Sequence, residues 1–182
     1  METPGNFPAA TTAPIAAEMT AAKSYSWLSL TRILLGWIFL WAFFDKLFGL
    51  GFATKSGHAW VDGVSPTTGF LKFATKGPLA DFFGGLAGSA VVDWLYMLGV
   101  LLIGISLLLG IGLRVAGRAG ALMMILFYLA ALWPANNPFA DDHIVYLLIL
   151  LAIGAWPDLF GGWGGHHWWK RQSLVQRFRW ME

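Results

Sequence analysis

The chain has 182 residues, 57% of them hydrophobic and only 12% charged, with a formal net charge of +2 and no cysteine. A soluble domain is nearer a quarter charged, so the composition points to lipid as the solvent and the length to one domain. The near-neutral balance gives no case for a nucleic-acid partner, and the missing cysteines exclude disulfides, thiol chemistry, thiolate metal sites and cysteine-ligated iron–sulfur clusters.

Residues 1–26 are rich in Ala, Thr and Pro and lack apolar periodicity, so they read as a disordered tail. No basic start with an apolar core and cleavage site precedes the first apolar run, which therefore reads as an uncleaved anchor. That run covers 27–44 and continues over 47–52. A helix rising about 1.5 Å per residue crosses a roughly 30 Å hydrocarbon core in about 20 residues, so the run can span. Arg32 lies near one end of it, within reach of a snorkelling conformation.

Residues 57–90 are more polar. Ser65-Pro66-Thr67-Thr68-Gly69 is turn chemistry. Pro78 can open a short helix whose Leu79, Phe82, Phe83 and Leu86 share a face, and this segment is expected to lie on the membrane surface. A second span covers 91–113 and a third runs from about Val115 to Trp133. Arg114 and Arg118 bracket the tight connection between them. After the turn Pro134-Ala135-Asn136-Asn137-Pro138 and the tripeptide Asp141-Asp142-His143, a fourth span starts at Ile144 and meets Pro157. The expected fold is thus an all-α integral membrane protein, a four-helix transmembrane bundle with a short interfacial helix in the first external loop. Its parts are a tail over 1–26, a membrane domain over 27–165 and a basic tail over 166–182.

Orientation follows from Lys and Arg. With the N-terminus inside, the inner segments hold Lys23, Arg32, Arg114, Arg118, Lys170, Arg171, Arg177 and Arg179, and the outer ones Lys46, Lys55, Lys72 and Lys76. Eight against four favours cytoplasmic N- and C-termini.

That topology gathers ionisable residues at the outer end. Asp45 and Lys46 close the first span, Asp93 opens the second, and Asp141, Asp142 and His143 open the fourth. Charges at membrane depth mark either a functional site or a structural ion-pair network. Asp93, Asp142 and His143 are the candidates for proton handling, with His143 the natural relay. Lys46 and Asp45 are the candidates for substrate binding. The same residues also fit a bland role: Asp142 as a helix N-cap, Asp93 at a helix N-terminus, and Lys46 paired to one of the acids. Two axial haem histidines at matched depth are not apparent, and Asp-Asp-His on consecutive helix positions is a poor metal motif, because neighbours point different ways. Gly36, Gly99, Gly104, Gly110, Gly112, Gly117 and Gly120 suit close helix packing, with Ser106 and Gly110 as a small-xxx-small pair.

These residues also form an ordered pattern. It runs through Arg32, Gly36-Trp37-Ile38-Phe39-Leu40, Asp45-Lys46, Gly49 and Ser65-Pro66-Thr67-Thr68-Gly69-Phe70-Leu71. It continues through Gly77-Pro78, Asp93-Trp94-Leu95, Gly99, Gly104, Gly110, Arg114 and Gly120 to Asn136-Asn137-Pro138-Phe139 and Asp141-Asp142-His143. The pattern resembles the DoxX family of bacterial membrane proteins, in particular the DoxX and DoxD-like proteins tied to thiosulfate:quinone oxidoreductase. The resemblance implies a multi-pass protein of the bacterial cell membrane with four helices. It also implies a role beside membrane quinones in oxidising thiosulfate or a related small reductant, with a second, soluble subunit. The alternative is a non-catalytic membrane scaffold or assembly protein for a redox complex. Either way the lipid bilayer is the first partner.

Overall fold

The computed structural model describes residues 13–134, 137 and 139–181, with the backbone alone over 13–25. All secondary structure among them is helical. Helix α1 is Ala13–Phe48, α2 Thr68–Phe73, α3 Ala80–Gly85, α4 Ala90–Leu109, α5 Leu113–Ala130 and α6 Asp142–Ala155. The chain finishes in α7 Pro157–Phe160, α8 His166–Trp169 and α9 Ser173–Arg177.

Three stretches are long and apolar enough to cross a membrane: Ser26–Phe48, Ala90–Leu109 and Leu113–Ala130, of 23, 20 and 18 residues. Helix α6 is equally apolar but has only 14 residues, about 21 Å at the helical rise. It stops at Trp156, where ψ swings to 61°, and α7 restarts at Pro157. Proline has no N–H to continue the ladder but is preset for a first helical turn.

One expectation needs correction. Helix α1 already begins at Ala13, inside the segment read as disordered. The run from Ala13 is rich in Ala, the strongest helix former, whose propensity needs no apolar periodicity. Helix α3 also has a packing face of its own. Phe83 is buried with Leu71 of α2 and Ala130 of α5 in a small core of their own, flanked by Leu79 and Leu86, while Phe82 alone of that face points out.

The main core lies between α1, α4, α5 and α6, with Leu35, Phe39, Ile103, Leu107, Leu150 and Ile153 at its centre. Glycines set the approach of the helices. A Cβ on Gly36 would come within 2.8 Å of the Leu108 nitrogen, and one on Gly117 within 2.6 Å of the Leu150 carbonyl and the Gly154 nitrogen. So α1 crosses α4, and α5 crosses α6, backbone to backbone, as small residues allow. Gly110 does something else: it ends α4 with φ +72°, a conformation that costs an L side chain free energy.

Beside Gly110 lies Arg32, which does not snorkel. It is fully buried. Its Nε donates to the Phe160 carbonyl (3.0 Å) at the end of α7, and Nη1 to the carbonyls of Leu107 and Leu108 (3.3 Å for the latter) in the last turn of α4. Nη2 donates to the Trp163 carbonyl. Ser29, one turn earlier, donates to the same Phe160 carbonyl (3.2 Å) and accepts from the Trp163 N–H (3.3 Å). Terminal helix carbonyls are orphan acceptors carrying partial negative charge, so two helix C-termini serve here in place of a carboxylate.

Candidate functional site

At the far end of the bundle from Arg32, the long α1–α4 connection folds over the helices and a cavity of about 680 Å³ lies beneath it. Its walls are mostly apolar: Phe70 and Leu71 of α2, Phe83 and Leu86 above, and residues of α4 and α5. Leu95, Leu122 and Leu126 also line it and are 68%, 58% and 45% exposed, so the space opens sideways between α4 and α5 at lipid-facing residues. Four side chains bring polar atoms: Lys46, Thr67, Tyr96 and His143. The Phe127 ring anchors the aromatic wall, 5.6 Å from Phe70, 6.1 Å from Tyr96 and 6.0 Å from His143, centroid to centroid.

The five residues singled out from the sequence have different fates. Lys46 and His143 line the same cavity. Lys46 makes no ion pair with an acid among the described residues, against the expected pairing. The acids are engaged elsewhere. Asp45 is buried and accepts from the backbone N–H groups of Phe52 (3.2 Å) and Thr54 (2.8 Å). A carboxylate opposes the negative end of its helix, and those two N–H groups offset that by folding the chain after Gly49 back on the helix. Asp93 is buried in the first turn of α4, where the dipole favours it, and accepts from Ser65 Oγ (2.8 Å) and Thr67 Oγ1 (2.5 Å). Ser65 Oγ in turn accepts from the N–H and the hydroxyl of Thr68. Asp93 thus ties the turn that roofs the cavity.

Asp142 is exposed, and Asp141, not Asp142, is the N-cap of α6: its Oδ1 accepts from the Ile144 N–H. The cap belongs to the residue with extended backbone (φ −106°, ψ −175°), which is Asp141. Its other oxygen lies 2.7 Å from His143 Nδ1. Burial acts to raise the Asp141 carboxyl, but hydrogen bonds from the His143 ring and the Ile144 N–H outweigh it and hold the group below the ordinary carboxylate range. The pair fixes the His143 ring, leaving Nε2 as the nitrogen that Asp141 does not engage.

Sequence reasoning placed Asp141 at this end without making it a candidate, and it missed Tyr96 and Thr67. Tyr96 had a signal: it follows Asp93 by three residues, hence on the same helix face. It also missed a cluster at the opposite end. There Asp158 Oδ1 accepts from His166 Nε2 (2.9 Å) and Lys170 Nζ (2.6 Å), and His166 is fully buried with its Nδ1 unpartnered. Among the described residues no group of three His, Asp or Glu side chains is placed to hold a metal ion.

Comparison with protein-family models, with curated proteins and with solved structures gave no match.

Proposed function

We propose that this chain is a DoxX-like membrane subunit of a quinone-linked oxidoreductase, and that the lateral cavity takes the quinone ring. The observation that carries this reading is the cavity's asymmetry. Its mouth is aliphatic and faces lipid, and its polar end holds Lys46, Tyr96 and an Asp141–His143 pair. A quinone matches that layout, with an isoprenoid chain for the mouth and two carbonyl oxygens for donors at the polar end. Reducing one quinone to quinol consumes two electrons and two protons. The electrons come from a small reductant through a soluble partner, because this chain has no cysteine to carry them. The Asp141–His143 pair handles the protons.

The topology that goes with this reading has four crossings and both termini in the cytoplasm. Helix α6 supplies the fourth crossing with α7, which together reach about 28 Å despite the break. The Lys and Arg distribution supports the orientation.

A scaffold or assembly role is the second reading, and one observation favours it. The Asp45 and Asp93 carboxylates are both spent on fastening the loop. Binding of a short-chain quinone to the purified full-length protein in micelles separates the two. Under the quinone reading the wild type saturates, Lys46→Gln and His143→Gln each weaken binding about tenfold, the worth of one charge-assisted hydrogen bond, and thermal stability holds. Membranes containing the chain then reduce quinone with thiosulfate faster than membranes without it. No saturable binding, with Asp93→Asn lowering only stability, supports the scaffold.

A further inference from the structure

The end of the bundle opposite the cavity is built differently. The α4–α5 connection and the C-terminal segment meet there: the Gly165 N–H donates to the Leu109 carbonyl (2.7 Å), and the Met181 carbonyl lies 3.9 Å from where a Cβ on Gly112 would stand. His166 and Val175 are buried against the helices, and Trp169 Nε1 donates to the Met181 carbonyl (2.7 Å). The segment is therefore a docked collar.

The outward side of this collar combines two features. Arg118, Lys170, Arg171 and Arg177 supply four cations at this end, and Asp158 beside them is already shared by Lys170 and His166. Between the cations stand large exposed rings: Trp163 is 50%, Trp168 56% and Trp180 60% accessible. Trp163 is bound through its carbonyl to Arg32 at the ends of α4 and α7, so the rings begin where the apolar helices stop.

We infer that this collar is a binding surface for acidic phospholipid headgroups of the adjoining leaflet. Cations next to a membrane helix attract anionic lipid over a Debye length, and indole rings partition to the headgroup level, where one edge is wet and the other apolar. The inference does not depend on the quinone reading.

The test is native mass spectrometry of the full-length protein in detergent, titrated with phosphatidylglycerol or phosphatidylcholine. The wild type is expected to retain phosphatidylglycerol in preference, and added salt is expected to erode the preference. Arg171→Gln with Arg177→Gln, both exposed residues, is expected to cut it by up to about fivefold per cation at low salt. Lys55→Gln with Lys72→Gln, in the loop at the other end, is expected to leave it unchanged. Equal retention of the two lipids by the wild type overturns the inference, as does an undiminished preference in the folded Arg171/Arg177 variant. If that variant does not fold, a wild-type preference insensitive to salt overturns it instead. Soluble glycerol phosphate competing as well as the whole lipid would show that the rings play no part, and would overturn the lipid assignment.

Discussion

Arg32→Met keeps most of the side-chain volume and removes every donor. In the wild type the guanidinium serves the carbonyls of Leu107, Leu108, Phe160 and Trp163, inside a site of zero accessibility. A buried acceptor left without its partner costs about 1–3 kcal/mol. Leu108 and Trp163 are partly reached by solvent in their contacts, so the full cost applies to Leu107 and Phe160 alone, and Phe160 keeps Ser29 as a second donor. Removing a buried charge, and with it the cost of its desolvation, returns part of the loss. The expected net destabilisation is about 2–4 kcal/mol, a large share of a typical folding free energy of about 5–15 kcal/mol. Arg32→Lys keeps one charge but cannot fork to three chain segments, so it should fall between the two. Unfolding the full-length protein by titrating a denaturing detergent into mild micelles, with tryptophan emission as the signal, measures both. A stability for Arg32→Met within about 0.5 kcal/mol of wild type, the range of an inert surface change, would refute the clamp.

Two further outcomes follow from the same structure. His166 is held below its ordinary pKa, first by burial, with Asp158 pulling the other way. The unfolded chain then binds the proton more readily, so stability of the docked collar is full above the unfolded histidine value of about 6.5 and declines as pH falls below it. Hydrogen-exchange protection factors of residues 163–181, corrected for the base-catalysed intrinsic rate, read this at neutral and mildly acidic pH; lower protection at the neutral end would reverse the sign. For topology, cysteines placed at Lys55 and Asn137 should react with an impermeant thiol reagent applied outside whole cells, and one at Arg118 should not. The opposite labelling would invert the orientation.

What was legible in the sequence is what depends on local pattern. The apolar runs carried their own length, so Ala90–Leu109 and Leu113–Ala130 were visible as spans, and Gly36, Gly104 and Gly117 as contact points. Lys46 and His143 were found because residues at helix ends share a depth. The carboxylates were not: whether Asp93 faces a cavity or a turn depends on Ser65 and Thr67, in a different element. Asp141 and Asp142 differ only in which takes the extended cap conformation, a single ψ angle. The Arg32 site was hidden for a general reason. Its acceptors are backbone carbonyls, which every residue has, so no side chain marks the partner in the sequence.

The Arg32 clamp also bears on how the chain is made. Arg32 lies 75 residues before Leu107, its nearest partner along the chain, and 128 before Phe160. At about 5–20 residues per second of synthesis, the first helix waits on the order of ten seconds before the α7 carbonyl exists. Until the α4 carbonyls of Leu107 and Leu108 arrive, a guanidinium sits in a nascent membrane helix with none of its acceptors, at an insertion cost near +2.5–3.5 kcal/mol if it were central. Its position close to the end of the apolar run lets it remain at the water boundary until then. The carbonyls of Phe160 and Trp163 are thus the last of its acceptors to be made, and they complete the site that holds the arginine inside the protein.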